Sequence, residues 1–171
     1  LTSDYRLQYE QAVKAENWDE AIAALQNILR VEPNSTYAYY YIGEAYLAKN
    51  DPGSAITAYS LGLEQAPDSG PMYVGMARAR LLSDPNANVL SLLDEAIRLD
   101  PNFGNAYLER GKVKIRDNDI PGALKDLGEA NTRLPDNPLV YYNLAQAHFK
   151  AGDYERALAS ALFCAPSNVK R

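Results

Sequence analysis

Apolar side chains recur every three or four residues along most of the chain, in short segments separated by turn residues. In one segment Tyr39, Ile42 and Tyr46 fall on a single helical face. The run 50–53, Asn-Asp-Pro-Gly, then ends the helix, because proline lacks an amide hydrogen and glycine favours turns. A second apolar stripe follows it, formed by Ala55, Ile56, Tyr59 and Leu63. The pattern predicts a hairpin of two amphipathic helices over residues 36–69.

This hairpin recurs with a period of 34 residues. Prolines keep the step at Pro33, Pro67, Pro101 and Pro135. Tyrosines keep the same step at Tyr5, Tyr39, Tyr73, Tyr107 and Tyr141. One helix pair cannot bury its apolar faces alone, so we expect successive pairs to stack. The period predicts a single domain over 1–171, in repeats 2–35, 36–69, 70–103, 104–137 and 138–171.

The repeat resembles the tetratricopeptide repeat, which has this period and a Trp-x2-Leu-Gly-x2-Tyr … Ala-x3-Phe … Pro pattern. In the second repeat the pattern stands as Tyr39, Ile42, Gly43, Tyr46, Ala55, Tyr59 and Pro67. The resemblance implies an all-α solenoid, a right-handed superhelix of about five helix pairs. It also implies a non-enzymatic scaffold that binds a peptide or helix of a partner protein.

Three basic residues interrupt the pattern in the third and fourth repeats. Arg80, Arg110 and Lys114 stand where the family has apolar or aromatic residues. Long basic side chains can bury their stems and keep their charged groups wet. We therefore expect them to pair with Asp94, Asp126 or Glu129. Residues 84–88, Asp-Pro-Asn-Ala-Asn, replace the usual turn of the third repeat, and we expect the helix pair to persist with an altered turn.

The resemblance also implies that the first helices of the repeats line a concave groove in which partners lie. Carried over by the repeat phase, the predicted groove residues are Tyr37, Tyr40, Glu44, Leu47, Val74, Arg78, Leu81, Leu108, Lys112, Ile115, Arg116, Tyr142, Gln146, Phe149 and Lys150. Apolar and aromatic side chains would bind the partner, and a basic stripe would hold an acidic segment of it. The stripe consists of Arg78, Lys112, Arg116 and Lys150. The alternative is that aromatic residues are common at these positions throughout the family and do not indicate a binding site.

The sequence contains few residues that could form a catalytic or cofactor-binding site. His148 and Cys164 both face inward by phase in the last repeat, and a Cys–His pair can be catalytic. Packing roles at two core positions are the favoured interpretation, since a buried cysteine behaves as a small hydrophobe. The chain has one histidine, one cysteine and no glycine-rich phosphate loop, so we predict no metal, no cofactor and no enzymatic activity.

Charge and hydropathy limit the partners. The net charge of −5 argues against nonspecific nucleic-acid binding, which needs a dense basic face. No apolar run approaches the roughly 18 residues of a membrane span, so we predict no direct membrane insertion. The chain begins at Leu1 and not at methionine, so we expect a fragment or a processed form. The compartment stays open between the cytoplasm and a bacterial envelope.

The last repeat lacks the polar face that usually ends a repeat array. Its closing proline comes early, at Pro166, with Val169 at the usual place. Apolar side chains near this end are Leu158, Leu162 and Phe163. This leaves two alternatives to a simple scaffold. One is self-association through the terminal repeats into a homo-oligomer, and the other is a partner-recruiting arm of a larger enzyme or regulator.

Overall fold

The computed structural model describes residues 1–164, and within that range the chain is ten α-helices without a β-strand. The helices are α1 (Thr2–Lys14), α2 (Trp18–Val31), α3 (Thr36–Ala48), α4 (Pro52–Gln65), α5 (Gly70–Ser83), α6 (Leu90–Leu99), α7 (Gly104–Arg116), α8 (Ile120–Arg133), α9 (Pro138–Lys150) and α10 (Tyr154–Cys164). They follow one another as five pairs, which confirms the prediction of an all-α chain of helix pairs. Pro166 and Val169, used above for the end of the last repeat, lie outside the described residues.

In four of the five pairs the turn between the two helices reverses the chain through one residue in the left-handed region. Glu16 has a φ of 54°, Asn50 of 59°, Asn118 of 64° and Gly152 of 78°, in steps of one or two repeat lengths. The next residue but one begins the second helix, and the residue between caps it. The Asp51 carboxylate, for instance, accepts a 3.1 Å hydrogen bond from the Ser54 amide. The four turns therefore share one mechanism.

The third pair turns differently. None of residues 84–88 has a positive φ, and α6 begins at Leu90, four residues later than the repeat phase places it. The Asp84 carboxylate accepts a 2.9 Å hydrogen bond from the Asn86 amide inside this longer turn. The Asn88 side chain accepts one of 3.4 Å from the Leu90 amide. The helix pair persists with an altered turn, as the sequence predicts.

The helices group into two compact units, one spanning Leu1–Leu92 and the other beginning at Leu93. In the first unit α2 packs on α3 through Leu25, Ile28, Ala38 and Ile42. Further along the same unit, α4 packs on α5 through Tyr59, Met72 and Met76. The second unit has its own core between α7, α8 and α9, which includes Leu108, Leu127, Val140 and Ala147. A single domain over 1–171 stays a prediction.

A buried ion-pair network in the second unit accommodates two of the basic residues that interrupt the repeat pattern. Asp126 is 1% exposed. Its carboxylate accepts hydrogen bonds from Arg110 at 2.7 and 2.8 Å and lies 2.8 Å from the Lys114 ammonium. Arg110 also donates to Asp94 at 2.7 Å. The predicted pairing with Asp94 and Asp126 is confirmed, whereas Glu129 pairs with Arg133 on its own helix.

Candidate protein-binding site

The predicted groove residues of the first unit are mostly half-exposed. Tyr37, Tyr40 and Leu47 on α3 each keep part of their surface open. Val74 on α5 is instead buried, at 5% exposure, so it belongs to the core and offers a partner no apolar surface. The placement of Val74 on the binding surface is wrong, because its short side chain is buried.

Four tyrosines make an aromatic cluster on this unit. The Tyr9 ring lies 5.4 Å from the Tyr41 ring, and the Tyr37 ring lies 4.6 Å from the Tyr41 ring. The Tyr40 ring is 5.0 Å from Tyr41. Burial, followed by neighbouring tyrosines, raises the pKa of Tyr9 to about 12. The Arg6 guanidinium lies 4.8 Å from the Tyr37 ring centre, within the range of a cation–π contact.

Glu44 occupies the centre of a second polar network on this unit. Its carboxylate accepts a 2.6 Å hydrogen bond from the Tyr59 hydroxyl, and Arg78 donates to both of its oxygens at 3.0 and 3.1 Å. Burial, with the hydrogen bond to Glu44, raises the pKa of Tyr59 far above its ordinary value. Arg78 is thus engaged within the chain, and an acidic partner segment would compete with Glu44 for it.

The basic stripe of the second unit is likewise engaged. Lys112 donates to the Glu109 carboxylate at 2.7 and 2.9 Å, and Arg116 donates to the Asp117 carboxylate at 2.7 and 3.0 Å. Lys150 donates to the backbone carbonyl of Ile115 at 3.2 Å. The cations of the predicted basic stripe are therefore already paired within the chain, and their contact with an acidic partner segment stays a prediction. Each cation has an acceptor within its own unit, because acidic residues lie one to three positions away or a carbonyl lies across the helix contact.

Leu108 and Ile115 are also core residues. They are 4% and 7% exposed and pack in the cluster that joins α7, α8 and α9. Leu108 is therefore not part of an open binding surface, because α9 packs over this part of α7. Ile115 still contributes to the floor of a cavity next to α9.

That cavity, the α9–α10 groove, is an apolar opening between the last two described helices of the second unit. It has a volume of about 780 Å³, and its lining is almost entirely apolar. Several lining side chains are more than half exposed, including Tyr142 at 53%, Phe149 at 63% and Leu158 at 65%. The lining residues are Ile115, Tyr142, Ala145, Gln146, Phe149, Lys150, Tyr154, Ala157, Leu158, Ala161 and Cys164.

The structure brings together four predicted residues of the fifth repeat here, since Tyr142, Gln146, Phe149 and Lys150 all line the groove. Sequence reasoning missed the opposite wall, which comes from α10. The repeat phase could have found it, because Ala157, Leu158 and Ala161 share their phase with Ala55, Ile56 and Tyr59 of the second repeat. Those three residues pack against the following helix pair in the first unit.

His148 and Cys164 do not form a pair. The helices α9 and α10 are antiparallel, so the end of α10 lies beside the start of α9. The Cys164 thiol donates to the Pro138 carbonyl at 3.5 Å, while His148 at the other end of α9 lies 3.9 Å from the Asp153 carboxylate. Burial raises the pKa of the Cys164 thiol, which disfavours the nucleophilic thiolate. The two side chains therefore do not form the Cys–His arrangement that is the alternative to packing roles.

Neither a metal-binding cluster nor a membrane span occurs in the described part of the chain. Among residues 1–164 no group of three or more His, Cys, Asp or Glu side chains could hold a metal ion. In the same range no helix has both the length and the apolar character required to cross a membrane.

Comparison with known proteins gives consistent results for the fold. Two family models, each described as tetratricopeptide repeat, match residues 10–70 and 114–160. A thermophilic TPR protein of Thermus thermophilus superposes with a TM-score of 0.82 at 21% identity, over 99% of this chain and 94% of that one. PilW, a type IV pilus biogenesis factor, superposes with a TM-score of 0.81 at 18% identity, over 95% of this chain and 76% of that one.

Curated relatives match part of the chain. The bifunctional subunit NrfFG of the formate-dependent nitrite reductase complex from Haemophilus influenzae is 35% identical over 88 residues, 49% of this chain and 23% of that protein. The subunit NrfG from Escherichia coli O157:H7 is 25% identical over 95 residues, 54% of this chain and 48% of that protein. The matched segments thus span about a quarter to a half of these relatives.

Proposed function

Because the chain belongs to the tetratricopeptide repeat family, we propose that it is a non-enzymatic scaffold that binds a protein partner. The α9–α10 groove is the proposed binding surface of the second unit, and the half-exposed aromatic face of α3 is a separate candidate surface in the first. The partner is a peptide or helix with an apolar face. Its binding energy comes from burying that face against side chains that now contact water.

The α9–α10 groove is the observation that carries this proposal. A cavity of about 780 Å³ with an apolar lining has the size of a binding site and is open to solvent. Tyr142, Phe149, Tyr154 and Leu158 expose between 53% and 65% of their surface around it. Contiguous exposed apolar surface of this kind usually marks an interaction site, and aromatic side chains are favoured anchors in such sites.

The basic residues of the predicted stripe contribute specificity more than affinity. Arg78, Lys112 and Arg116 already donate to acceptors within the chain. A partner carboxylate would replace an existing ion pair, so the net gain in free energy is small. The apolar contacts therefore dominate the affinity, and the charges select among partners and orient them.

A photoreactive amino acid placed at position 149 tests the proposal in a native lysate. The matched control carries the same amino acid at position 125, where Lys125 is exposed on α8 away from the groove. We expect discrete crosslinked products from position 149 that disappear when Tyr142→Ala is added. Position 125 should give none of these products. Identical products from both positions, or none from position 149, would contradict the proposed surface.

A second candidate function is a partner-recruiting arm of a larger enzyme complex. It is favoured by the match of residues in this chain to two proteins named as subunits of a formate-dependent nitrite reductase complex. The same crosslinking experiment separates the candidates. Recruitment to a complex predicts that the partner crosslinked through position 149 is an enzyme subunit, whereas a general scaffold predicts partners without catalytic domains.

A further inference from the structure

The α9–α10 groove repeats a site that holds a helix elsewhere in the same chain. The helices α9 and α10 begin 102 residues after α3 and α4, which is three repeat lengths. In the first unit the groove between α3 and α4 holds α5, with Tyr59, Met72 and Met76 in one apolar cluster. In the preceding repeat α3 packs on α2 through Leu25, Ile28, Ala38 and Ile42, and its Tyr41 ring lies 5.4 Å from the Tyr9 ring of α1. The chain thus contains its own examples of the occupant.

We infer that the α9–α10 groove binds an amphipathic α-helix of a partner protein, in the register in which α5 binds α3 and α4. This inference rests on the proposed scaffold function and names its partner class. An α-helix laid into an apolar groove is anchored by side chains three or four residues apart. The contacts of α5 therefore indicate which side chains the partner helix needs.

The decisive position on the partner helix is the one that Gly75 occupies on α5. The Tyr59 ring lies between Gly43 and Gly75, so closely that a Cβ on either glycine would be 2.4 or 2.5 Å from a ring carbon. In the α9–α10 groove the residue in phase with Tyr59 is Ala161, and the one in phase with Gly43 is Ala145. The volume that corresponds to the Tyr59 ring is therefore open in the α9–α10 groove. The partner helix should carry a large apolar or aromatic side chain where α5 has Gly75.

Two neighbouring positions refine this specificity. Met72 of α5 sits over Gly62, where a Cβ would come within 2.5 Å of the methionine sulfur. Cys164 is in phase with Gly62 and lines the groove, so the partner helix needs a smaller residue than methionine there. Gln146 is in phase with Glu44, which binds Arg78 in the first unit. A neutral amide needs no counter-charge, so the partner helix needs no arginine at that point.

The occupant is not the first helix of a second copy. The face of α1 that corresponds to the docking face of α5 carries Asp4, Gln8 and Gln11, all exposed. The corresponding residues of α5 are Met72, Met76 and Ala79, which are buried. Asp4 would lie against Cys164, and burying an unpaired carboxylate on an apolar wall is costly. Leu7 alone has the size to fill the open volume.

A helical peptide with the sequence of α9, residues 138–150, supplies the probe, because α9 docks on α7 and α8 in this register. Within it Asn143 has the phase of Gly75, and Val140 has that of Met72. A staple on its solvent face keeps so short a peptide helical. Three versions, with Asn143, Asn143→Phe and Asn143→Gly, are titrated against the full chain by fluorescence anisotropy. The protein is used as wild type and as Ala161→Tyr, which refills the open volume.

We expect the Asn143→Phe peptide to bind the wild type at least about tenfold tighter than the Asn143 or Asn143→Gly peptide. In Ala161→Tyr the order should reverse, with the Asn143→Gly peptide preferred. Ala161 is exposed on α10, so this variant should keep the wild-type circular dichroism and melting temperature. Equal affinities of the three peptides for both proteins would overturn the inference. So would a wild-type dimer that protects the groove. Crosslinking from position 149 would still test the scaffold function separately.

Discussion

The Tyr59 hydroxyl donates a 2.6 Å hydrogen bond to the Glu44 carboxylate across the contact of α4 with α3. Arg78 of α5 binds the same carboxylate, so one acidic side chain joins three helices of the first unit. Tyr59 itself is fully buried. A buried hydroxyl without a partner is costly, so Glu44 is what makes a tyrosine acceptable at this position.

The first prediction concerns that hydrogen bond. Tyr59→Phe keeps the ring and removes only the hydroxyl, so we expect a loss of about 1.5 kcal/mol in the free energy of unfolding, measured by urea denaturation. The control is Tyr73→Phe, since the Tyr73 hydroxyl makes an exposed 3.2 Å bond to the Pro67 carbonyl. That change should cost less than about 0.5 kcal/mol. Equal losses of unfolding free energy in the two variants would show that the hydrogen bond to Glu44 contributes no more to stability than the exposed one.

The second prediction concerns the fit of the Tyr59 ring. A Cβ at position 43 would lie 2.4 Å from the ring, which is fixed by packing on both sides. We expect Gly43→Ala to lower the free energy of unfolding by about 2 kcal/mol. Gly128→Ala is the matched change, because it also lies within a helix but has no neighbour within 4 Å of the new Cβ. It should raise stability by about 0.5 kcal/mol or more, since alanine is the better helix former. A gain in both variants would contradict the packing described for Tyr59.

Periodicity in the sequence predicts the helices well because each repeat restates the same pattern. Five copies at a fixed step outweigh local signals such as the tyrosine-rich run 37–41, which by itself favours a strand. The turns follow for the same reason, since the capping residues Asn17, Asp51, Asp119 and Asp153 keep the step. The altered third turn is visible in the sequence, although the start of α6 at Leu90 is not.

The binding surface is less predictable, because phase gives the direction of a side chain and not its exposure. Val74 and Leu108 have the phase of Tyr142, yet the first two are buried and Tyr142 is 53% exposed. The repeat phase does not predict ion pairs either. Lys112 and Arg116 pair with Glu109 and Asp117 at distances that only coordinates give. The α10 wall of the groove escapes any prediction that considers only the first helix of each repeat.

The third prediction concerns the buried carboxylate of Asp126. Burial by itself would raise the pKa of Asp126, but hydrogen bonds from Arg110 and Lys114 outweigh it and hold the pKa below 3.8. We expect Asp126→Asn to lose about 3 kcal/mol in the free energy of unfolding at neutral pH, because two partly buried cations lose their counter-charge. Asp94→Asn is the control, since Asp94 also binds Arg110 but its side chain is 61% exposed. It should cost less than about 1 kcal/mol.

The same group gives the stability a pH dependence. Since the folded protein holds the pKa of Asp126 below its unfolded value, the unfolded chain binds more protons in acid. The contribution of Asp126 is therefore fully present above about pH 4 and is lost as the pH falls through the lower, folded pKa. Urea denaturation across this range should show a shallower slope for Asp126→Asn than for the wild type. Parallel curves would mean that Asp126 titrates alike in both states.

The last prediction concerns the tyrosine cluster at alkaline pH. Burial, and after it neighbouring tyrosines for Tyr9 and Glu44 for Tyr40, raises the pKa of both groups from 10.0 to about 12. The folded protein therefore binds these protons more tightly than the unfolded chain does. Their contribution to stability is complete below about pH 10 and is lost between pH 10 and pH 12.

The double variant Tyr9→Phe/Tyr40→Phe keeps both rings and has no proton to lose at either site. We expect its free energy of unfolding to fall less steeply over that interval than the wild type's, followed by urea denaturation at each pH. Phenolate absorbance recorded on the folded proteins should show two fewer groups ionising near pH 12 in the variant. A variant that matches the wild type in both measurements would mean that the cluster is open to water and that neither hydroxyl is desolvated.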